Sequence, residues 1–145
     1  MEPLLHPSDT QLRSLLAQTQ TIAVVGHSNQ PQRPSYQIAQ FLRQVGYRVY
    51  PVNPTVAEVA GHRCYRSLAE VPETVDLVNV FRRADSLPEI VEAAIAVGAK
   101  ALWTQLGIYH DVAVRQALAA GLFVVTDACI QVEYLRLGLP RRSPS

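Results

Sequence analysis

The stretch from Thr21 to Ser35 reads TIAVVGHSNQPQRPS, and it decides the fold. It begins with a short apolar run, Ile22 to Val25, rich in β-branched residues, and that run stops at Gly26. A polar loop that contains prolines follows, and a helical pattern of apolar residues begins near Ser35. A strand, a glycine turn and a helix in this order are typical of the first unit of a nucleotide-binding α/β domain.

The same alternation of strand and helix continues along the chain. The predicted strands are Thr21–Val25, Tyr47–Val52, Val75–Val80, Ala99–Trp103 and Leu122–Val125. The predicted helices are Thr10–Ala17, Ser35–Val45, Leu87–Val97, Val112–Ala120 and a short one over Val132–Leu135, with one further helical turn over Ser67–Pro72. Between Val56 and Arg66 the sequence shows no regular pattern.

This arrangement predicts the fold class. Helices of about a dozen residues between successive strands require parallel pairing through right-handed crossovers. Continuous apolar strands, rather than alternating ones, indicate a sheet covered on both faces. We therefore predict an α/β, Rossmann-like fold: a doubly wound five-stranded parallel sheet with helices on both faces. It forms a single domain over residues 1–139, followed by a disordered tail, PRRSPS, over residues 140–145.

Composition limits the classes of partner. A chain of 145 residues suits one domain with a normal core, and its net charge of +1 provides no basic field for nucleic acid. No apolar run approaches the roughly 20 residues of a membrane span, and the first 20 residues do not resemble a signal peptide. Cys64 and Cys129 show no CxxC spacing. We expect a cytoplasmic protein with reduced thiols, and a homodimer remains possible.

Ligands on such sheets bind outside the carboxyl ends of the strands. The five strand exits are Gly26–Ser35, Asn53–Val56, Phe81–Arg83, Thr104–Gly107 and Asp127–Gln131. At the first exit, Gly26 lets the backbone approach a ligand, while Ser28 and Asn29 can donate to phosphate. Arg33 adds a full positive charge to the helix N-terminus that follows. An ordinary turn between strand and helix has a similar composition, so both interpretations stay open.

The other exits allow two interpretations each. Asn53-Pro54 lines an adenine site or merely ends a strand. Phe81 closes the core or packs on a ligand. Arg82 or Arg83 pairs with phosphate or is simply solvated, and a positive charge at a helix start favours the ligand slightly. Gln105–Gly107 offers an amide side chain and exposed backbone, while Trp103 is expected in the core.

Other nucleotide sites and catalytic sites fit less well. The GxGxxG fingerprint is missing after Gly26, and the second strand leads into Asn53 rather than the acidic residue that holds a ribose. GxxxxGK[ST] is also absent. His27 is the only histidine at a strand exit, and the acidic neighbours of Cys129 oppose a reactive thiolate. The sequence therefore predicts no catalytic residues, no metal site and no enzyme activity.

Four segments together resemble a known family. They are GHSNQPQRPSYQIAQFLRQVGYRVYPVNP from Gly26, VDLVNVFRR from Val75, ALWTQLGI from Ala101 and DACIQVE from Asp127. They resemble the small stand-alone CoA-binding domain proteins and, more distantly, the CoA-binding domain of the succinyl-CoA synthetase α-subunit. The resemblance runs from about Ser8 to Gly138. It implies a Rossmann-like fold that binds coenzyme A across the strand ends.

The resemblance also implies where each part of the ligand lies. At the phosphates it places Gly26, Ser28, Asn29, Arg33 and the start of the helix at Ser35. Beside the adenosine it places Asn53, Pro54 and Val56, with Phe81 and Arg82 along the third exit. Along the pantetheine arm it places Gln105, Leu106 and Gly107.

The chain departs from the family pattern in three respects. The larger synthetases carry a phosphorylated histidine in a second domain, and that chemistry is not expected here. Ile130 stands where proline is frequent, which leaves the geometry of the fifth exit open. His27 stands where a small residue is common, so it narrows the loop or adds a contact.

The expected function is therefore non-catalytic binding of coenzyme A or an acyl-CoA, as a carrier, sensor or partner protein. Two alternatives remain. One is an NAD(P)-binding enzyme with an atypical glycine loop, and the other is an interaction protein with a degenerate nucleotide fold.

Overall fold

A computed structural model describes residues 7–142, and within them helices and strands alternate as the sequence predicts. The helices are α1 Asp9–Gln18, α2 Pro34–Gln44, α3 Leu87–Ala96, α4 Asp111–Ala119 and α5 Ile130–Arg136. Short 3-10 turns lie at Leu68–Glu70 and Ala84–Ser86. The longest helix has 11 residues. Across residues 7–142, no helix combines the length and the apolar character that crossing a membrane requires.

The strands of the described chain form a parallel sheet and a small hairpin. The strands are β1 Thr21–Val25, β2 Arg48–Val52, β3 Glu58–Val59, β4 His62–Arg63, β5 Leu77–Val80, β6 Ala101–Thr104 and β7 Phe123–Val125. The sheet within residues 7–142 has 5 strands in the order β2-β1-β5-β6-β7, all parallel. This confirms the predicted doubly wound, Rossmann-like α/β fold.

Both faces of the sheet are buried. On one face, Ala23 and Val25 of β1 join a cluster with α3 and α4. On the other, Ile22 and Val24 join α1, α2 and α5, together with Trp103 of β6. Every residue of β1 is buried for this reason, which explains its continuous apolar run. The predicted burial of Trp103 is confirmed, and its Nε1 donates to the carbonyl of Ala128 at 2.8 Å.

The segment that seemed irregular between Val56 and Arg66 contains an antiparallel hairpin, β3–β4. Its two-residue turn has positive φ at Ala60 (50°) and Gly61 (81°), as in the tight turns that suit hairpins. Strands of two residues are too short to show a periodic pattern, so the sequence could not predict them.

The C-terminal end of the described chain packs against the domain. Arg142 donates from Nη1 to the carbonyls of Leu16 (3.1 Å) and Ala17 (2.8 Å). Its guanidinium also lies 4.5 Å from the centre of the Tyr47 ring. Residues 140–142 belong to the tail that the sequence predicts to be disordered, and Arg142 makes the contacts given above; the disorder of the tail stays a prediction. The rest of that prediction concerns residues 143–145, which lie outside the described residues.

Candidate functional site

The strand order places a crevice at the exits of β1 and β5. The chain passes from β1 to β2 on one side and later from β2 to β5 on the other, so the direction of winding reverses there. Gly26 continues β1 by donating to the carbonyl of Val52 at 2.8 Å, and Phe81 continues β5 by donating to Val25 at 2.9 Å. A cavity of about 470 Å³ opens beyond these two residues.

Most of the site residues predicted from the sequence meet in this cavity, which we call the loop cavity. They are Gly26, Ser28, Asn29, Arg33, Ser35, Asn53, Val56 and Phe81. The sequence analysis did not assign three further lining residues, Gln30, Pro34 and Thr55. Each of them directly neighbours an assigned residue in the chain, so a longer window around the motif would have found them.

Helix α2 begins at the wall of the loop cavity. Its N-cap, Arg33, makes no capping hydrogen bond with its side chain, and proline occupies the first turn. The amides of Ser35 and Tyr36 form no hydrogen bond within residues 7–142. Unpaired amides and the helix dipole together favour an anion at this position.

The loop that precedes α2 is held in place by three contacts. The amide of Ser28 donates to Ser35 Oγ at 2.9 Å, so it is not free to bind a ligand as the sequence suggested. Asn53 Nδ2 donates to the carbonyl of His27 at 3.1 Å, and His27 Nδ1 donates to the carbonyl of Ser28 at 2.7 Å. The Ser28 hydroxyl accepts from Gln30 at 3.0 Å and keeps its own proton available as a donor.

Asn53 supports the site mainly through bonds inside the protein. Its Oδ1 accepts from the amide of Thr55 at 3.0 Å and from Thr55 Oγ1 at 2.8 Å, while its Nδ2 binds the loop at His27. Both ends of the carboxamide are therefore engaged, although the residue lines the cavity. Asn53 positions the β1 loop against the β2 exit, a role that the sequence did not reveal.

His27 lies in the core and not in a polar loop. It has no solvent exposure, and its ring packs edge-on against Tyr36 with the centroids 5.9 Å apart. Burial lowers the pKa of His27 to about 4, so the imidazole is neutral at physiological pH. Because Nδ1 carries the proton donated to Ser28, Nε2 is the bare nitrogen, and it has no partner in the described chain. With no exposed surface, the His27 side chain supports the loop from within the core and does not line the cavity.

Arg33 provides the full positive charge at the loop cavity. Its side chain is exposed, and Nε lies 3.4 Å from Gln30 Oε1. It forms no ion pair with a carboxylate in the described part of the chain. A guanidinium held near uncapped helix amides is well suited to bind phosphate oxygens.

Two predicted residues, Pro54 and Arg82, lie instead in an adjoining cavity of about 250 Å³, which we call the rear cavity. Gly26 borders both cavities. A Cβ atom on Gly26 would lie 2.9 Å from Arg82 Cδ and 3.1 Å from the carbonyl oxygen of Phe81. The residues predicted at the first three exits are therefore divided between two cavities that share Gly26.

The fourth exit does not reach either cavity. Gln105 is almost fully buried, and its Oε1 accepts from the amide of Ile130 at 3.3 Å. The Gly107 amide donates to Asp127 Oδ1 at 2.6 Å. Leu106 is 65% exposed. These residues lie at the same edge of the sheet, but the structure does not bring them into contact with the loop cavity.

The two cysteines differ in burial. Cys64 is buried, which raises the pKa of its thiol, and its Sγ lies 3.7 Å from the carbonyl of Asn53. Cys129 is half-buried at the N-cap of α5. Within residues 7–142, no group of three or more His, Cys, Asp or Glu residues could hold a metal ion.

Comparison with known proteins identifies relatives of the same size. The YneT protein of Bacillus subtilis, an uncharacterized protein, is 35% identical over 129 residues, covering 89% of this chain and 96% of YneT. A hypothetical protein from Pyrococcus horikoshii superposes with a TM-score of 0.91 at 36% identity, covering 96% of this chain and 98% of the other. A Thermus thermophilus structure, cell-free ID.343, gives a TM-score of 0.87 at 38% identity over 90% of this chain and 99% of that one.

A longer relative carries a named activity. Acetate–CoA ligase (ADP-forming) II of Archaeoglobus fulgidus is 30% identical over 82 residues, which is 55% of this chain and 12% of the ligase. The chain thus matches only a small part of that enzyme. The model of the CoA binding domain family, CoA_binding_2, matches residues 20–135, which include the loop cavity and the rear cavity. The chain belongs to the CoA binding domain family.

Proposed function

We propose that this protein binds coenzyme A or an acyl-CoA at the exits of β1, β2 and β5 and does not convert it chemically. The proposal rests on the N-terminus of α2, where anion-binding groups line the loop cavity. Its uncapped amides and the unpaired charge of Arg33 line one cavity at the point where the sheet reverses its winding. Family membership supports the choice of coenzyme A over other phosphorylated ligands.

The chemistry of these donors fits the diphosphate of coenzyme A. Backbone amides, the Ser28 hydroxyl and the Arg33 guanidinium are all hydrogen-bond donors, and a diphosphate offers only acceptors and negative charge. Gly26 has no side chain to separate the diphosphate from the sheet edge. In this arrangement Arg33 and the α2 amides hold the diphosphate, and Phe81 and Val56 line the same cavity beside it.

The proposal of binding without catalysis rests on the chemistry of the candidate nucleophiles. Burial raises the pKa of the Cys64 thiol and lowers that of His27, so neither side chain is poised for proton transfer near neutral pH. Free Cys64 and Cys129 suit a reducing compartment, and we propose that the protein acts in the cytoplasm.

Isothermal titration with coenzyme A tests the proposal. The purified chain should bind with one-to-one stoichiometry, and coenzyme A should raise the thermal midpoint. Arg33→Gln should weaken binding about 10- to 100-fold, since a hydrogen bond to a charged group contributes roughly 1.5–3 kcal/mol. Arg115→Gln is the matched control, because Arg115 is exposed on α4 and pairs with Asp111.

The alternatives make different predictions in the same titration. Absence of both heat and thermal shift at millimolar coenzyme A would overturn the proposal and favour an interaction protein. Tighter binding of NADH than of coenzyme A would favour an NAD(P)-dependent protein. Mass spectrometry under native conditions provides an independent check, since a retained CoA species would identify the ligand directly.

A further inference from the structure

The rear cavity combines an apolar floor with two arginines. Its floor includes Val52 at the end of β2, Leu68 of the 3-10 turn and Ile90 of α3. Arg66 and Arg82 line its sides, and both side chains are exposed toward solvent. The sequence analysis gave Arg66 no role, because it lies in the segment without a regular pattern.

The guanidinium groups of these two arginines have no carboxylate partner in the described part of the chain. Neither Arg66 nor Arg82 forms an ion pair or a side-chain hydrogen bond within residues 7–142. Glu89 lines the same cavity and is likewise outside every ion pair of the described chain. Among the lining residues, two guanidinium groups and one carboxylate surround an apolar surface. Glu70 is not a lining residue, although its carboxylate accepts from the Arg66 amide at 3.3 Å.

The rear cavity is accessible from the loop cavity. Gly26 lines both, and the two cavities meet at its backbone and at the stem of the neighbouring Arg82. A ligand with its diphosphate at α2 can therefore extend one of its two arms over Gly26 into the rear cavity.

The charge decides which arm of coenzyme A fits. The pantetheine arm is uncharged and gains nothing from two guanidinium groups. The other arm is an adenosine with a 3′-phosphate, which combines an apolar ring face with a dianion. Arginine pairs with phosphate through two parallel hydrogen bonds, and a purine ring stacks well on apolar side chains.

We propose that Arg66 binds the 3′-phosphate of coenzyme A and so selects coenzyme A over ligands that lack this group. The proposal rests on the proposed function of the loop cavity. Arg66 is assigned the 3′-phosphate because its exposed guanidinium makes no hydrogen bond or ion pair within residues 7–142. The stem of Arg82, in contrast, packs on Gly26, where a Cβ would lie 2.9 Å from its Cδ. Arg82 lines the rear cavity beside Gly26, the residue that borders both cavities.

Titration with coenzyme A and with dephospho-coenzyme A tests this assignment, because the two ligands differ only in the 3′-phosphate. The unaltered protein should bind coenzyme A about tenfold more tightly or better at low salt, and the preference should shrink as salt screens the charges. Arg66→Gln should reduce the affinity for coenzyme A to that for dephospho-coenzyme A and leave the latter unchanged.

Arg63→Gln provides the matched control. Arg63 is an exposed arginine three residues away that stacks on Tyr65 at 5.0 Å and does not line the cavity. This variant should keep the full preference for coenzyme A. Thermal midpoints of all variants without ligand show whether each is folded.

The outcomes separate this inference from the proposed function. Equal affinity of the unaltered protein for both ligands would overturn the role of Arg66 and leave binding of coenzyme A intact. If Arg66→Gln weakened both ligands equally, Arg66 would act on their shared part, and the assignment would again be wrong. If neither ligand bound, the proposed function itself would fail.

Discussion

Gly26 is held in a conformation that only glycine adopts without strain. Its φ is +88°, and a Cβ would lie 2.9 Å from Arg82 Cδ and 3.1 Å from the carbonyl oxygen of Phe81. A side chain at this position would therefore point at the stem of Arg82, at the border between the two cavities.

We predict that Gly26→Ala destabilises the fold and weakens ligand binding. Strain at positive φ costs about 1–2 kcal/mol in the free energy of unfolding, and displacement of Arg82 adds to it. Gly121→Ala is the control: Gly121 has a φ of +89°, and its Cβ would meet nothing within 4 Å. Urea denaturation should therefore show a larger decrease in the free energy of unfolding for Gly26→Ala than for Gly121→Ala. Equal losses would mean that the contact with Arg82 costs nothing.

The buried His27 makes stability depend on pH. The imidazole has a pKa of about 4 in the folded protein, whereas an unfolded histidine protonates near pH 6.5. Between these values the unfolded state binds more protons, so stability falls as the pH falls from about 6.5 to 4. We expect a loss of about 2–3 kcal/mol in the free energy of unfolding across this window.

Denaturation of a His27→Asn variant at several pH values checks this expectation. Asparagine can donate to Ser28 as Nδ1 does but does not titrate, so the variant should show a flatter dependence between pH 4 and 6.5. His110→Asn is the comparison for loss of a histidine elsewhere in the fold: His110 caps α4, and asparagine also caps helices, so this variant should stay folded. An unchanged slope in His27→Asn would assign the pH dependence to other groups.

Among the elements, β5 contains a buried polar side chain, Asn79, that makes no hydrogen bond in the described chain. Asn79 has no solvent exposure, and neither end of its carboxamide has a partner in the described chain. It stands in register between Val24 of β1 and Trp103 of β6. An unpaired amide in such a place costs about 1–3 kcal/mol.

We therefore predict that Asn79→Leu raises the thermal midpoint, since leucine has a similar volume and no polar group to desolvate. Asn53→Leu is the comparison and should lower it, because the Asn53 carboxamide makes three hydrogen bonds. Calorimetry of both variants measures the difference. A lower midpoint for Asn79→Leu would show that the amide is satisfied, for instance by a buried water.

The elements show what sequence patterns can predict. The limits of β1 were predicted to the residue, because five buried positions in a row leave a clear apolar signal. Asn79 is visible in the apolar segment VDLVNV, but no sequence pattern indicates whether a buried amide has hydrogen-bond partners. The β3–β4 hairpin was missed because two-residue strands have no period. The burial of His27 was also missed, because it depends on packing against Tyr36 of α2, a tertiary contact that no local pattern indicates.

The whole molecule explains why the site was only partly predictable. The predicted parallel topology correctly indicated that the exits of β1, β2 and β5 lie together. The exit of β6 lies two strands from β1, roughly 10 Å at the usual strand spacing, so Gln105–Gly107 stays outside the loop cavity. Whether the pantetheine arm reaches this exit remains a prediction.

At the same scale, Arg142 connects the end of the described chain to α1. It donates to two carbonyls at the C-terminus of α1 and lies over the ring of Tyr47. We predict that Arg142→Ala lowers the free energy of unfolding by about 1–3 kcal/mol through loss of these contacts. Arg115→Ala, which removes only an exposed ion pair, should cost less than about 1 kcal/mol. Urea titration compares the two, and equal losses would show that residues 140–142 contribute no stability.

The loop before α2 has a consequence for the rate of binding. Its contacts with Ser35, Asn53 and the buried His27 hold it in one conformation before any ligand arrives. A loop that is already ordered has little entropy left to lose, so the free energy of the contacts goes into affinity. Association should accordingly be one bimolecular step, with an observed rate that rises linearly with ligand concentration and reaches no plateau set by slow loop closure.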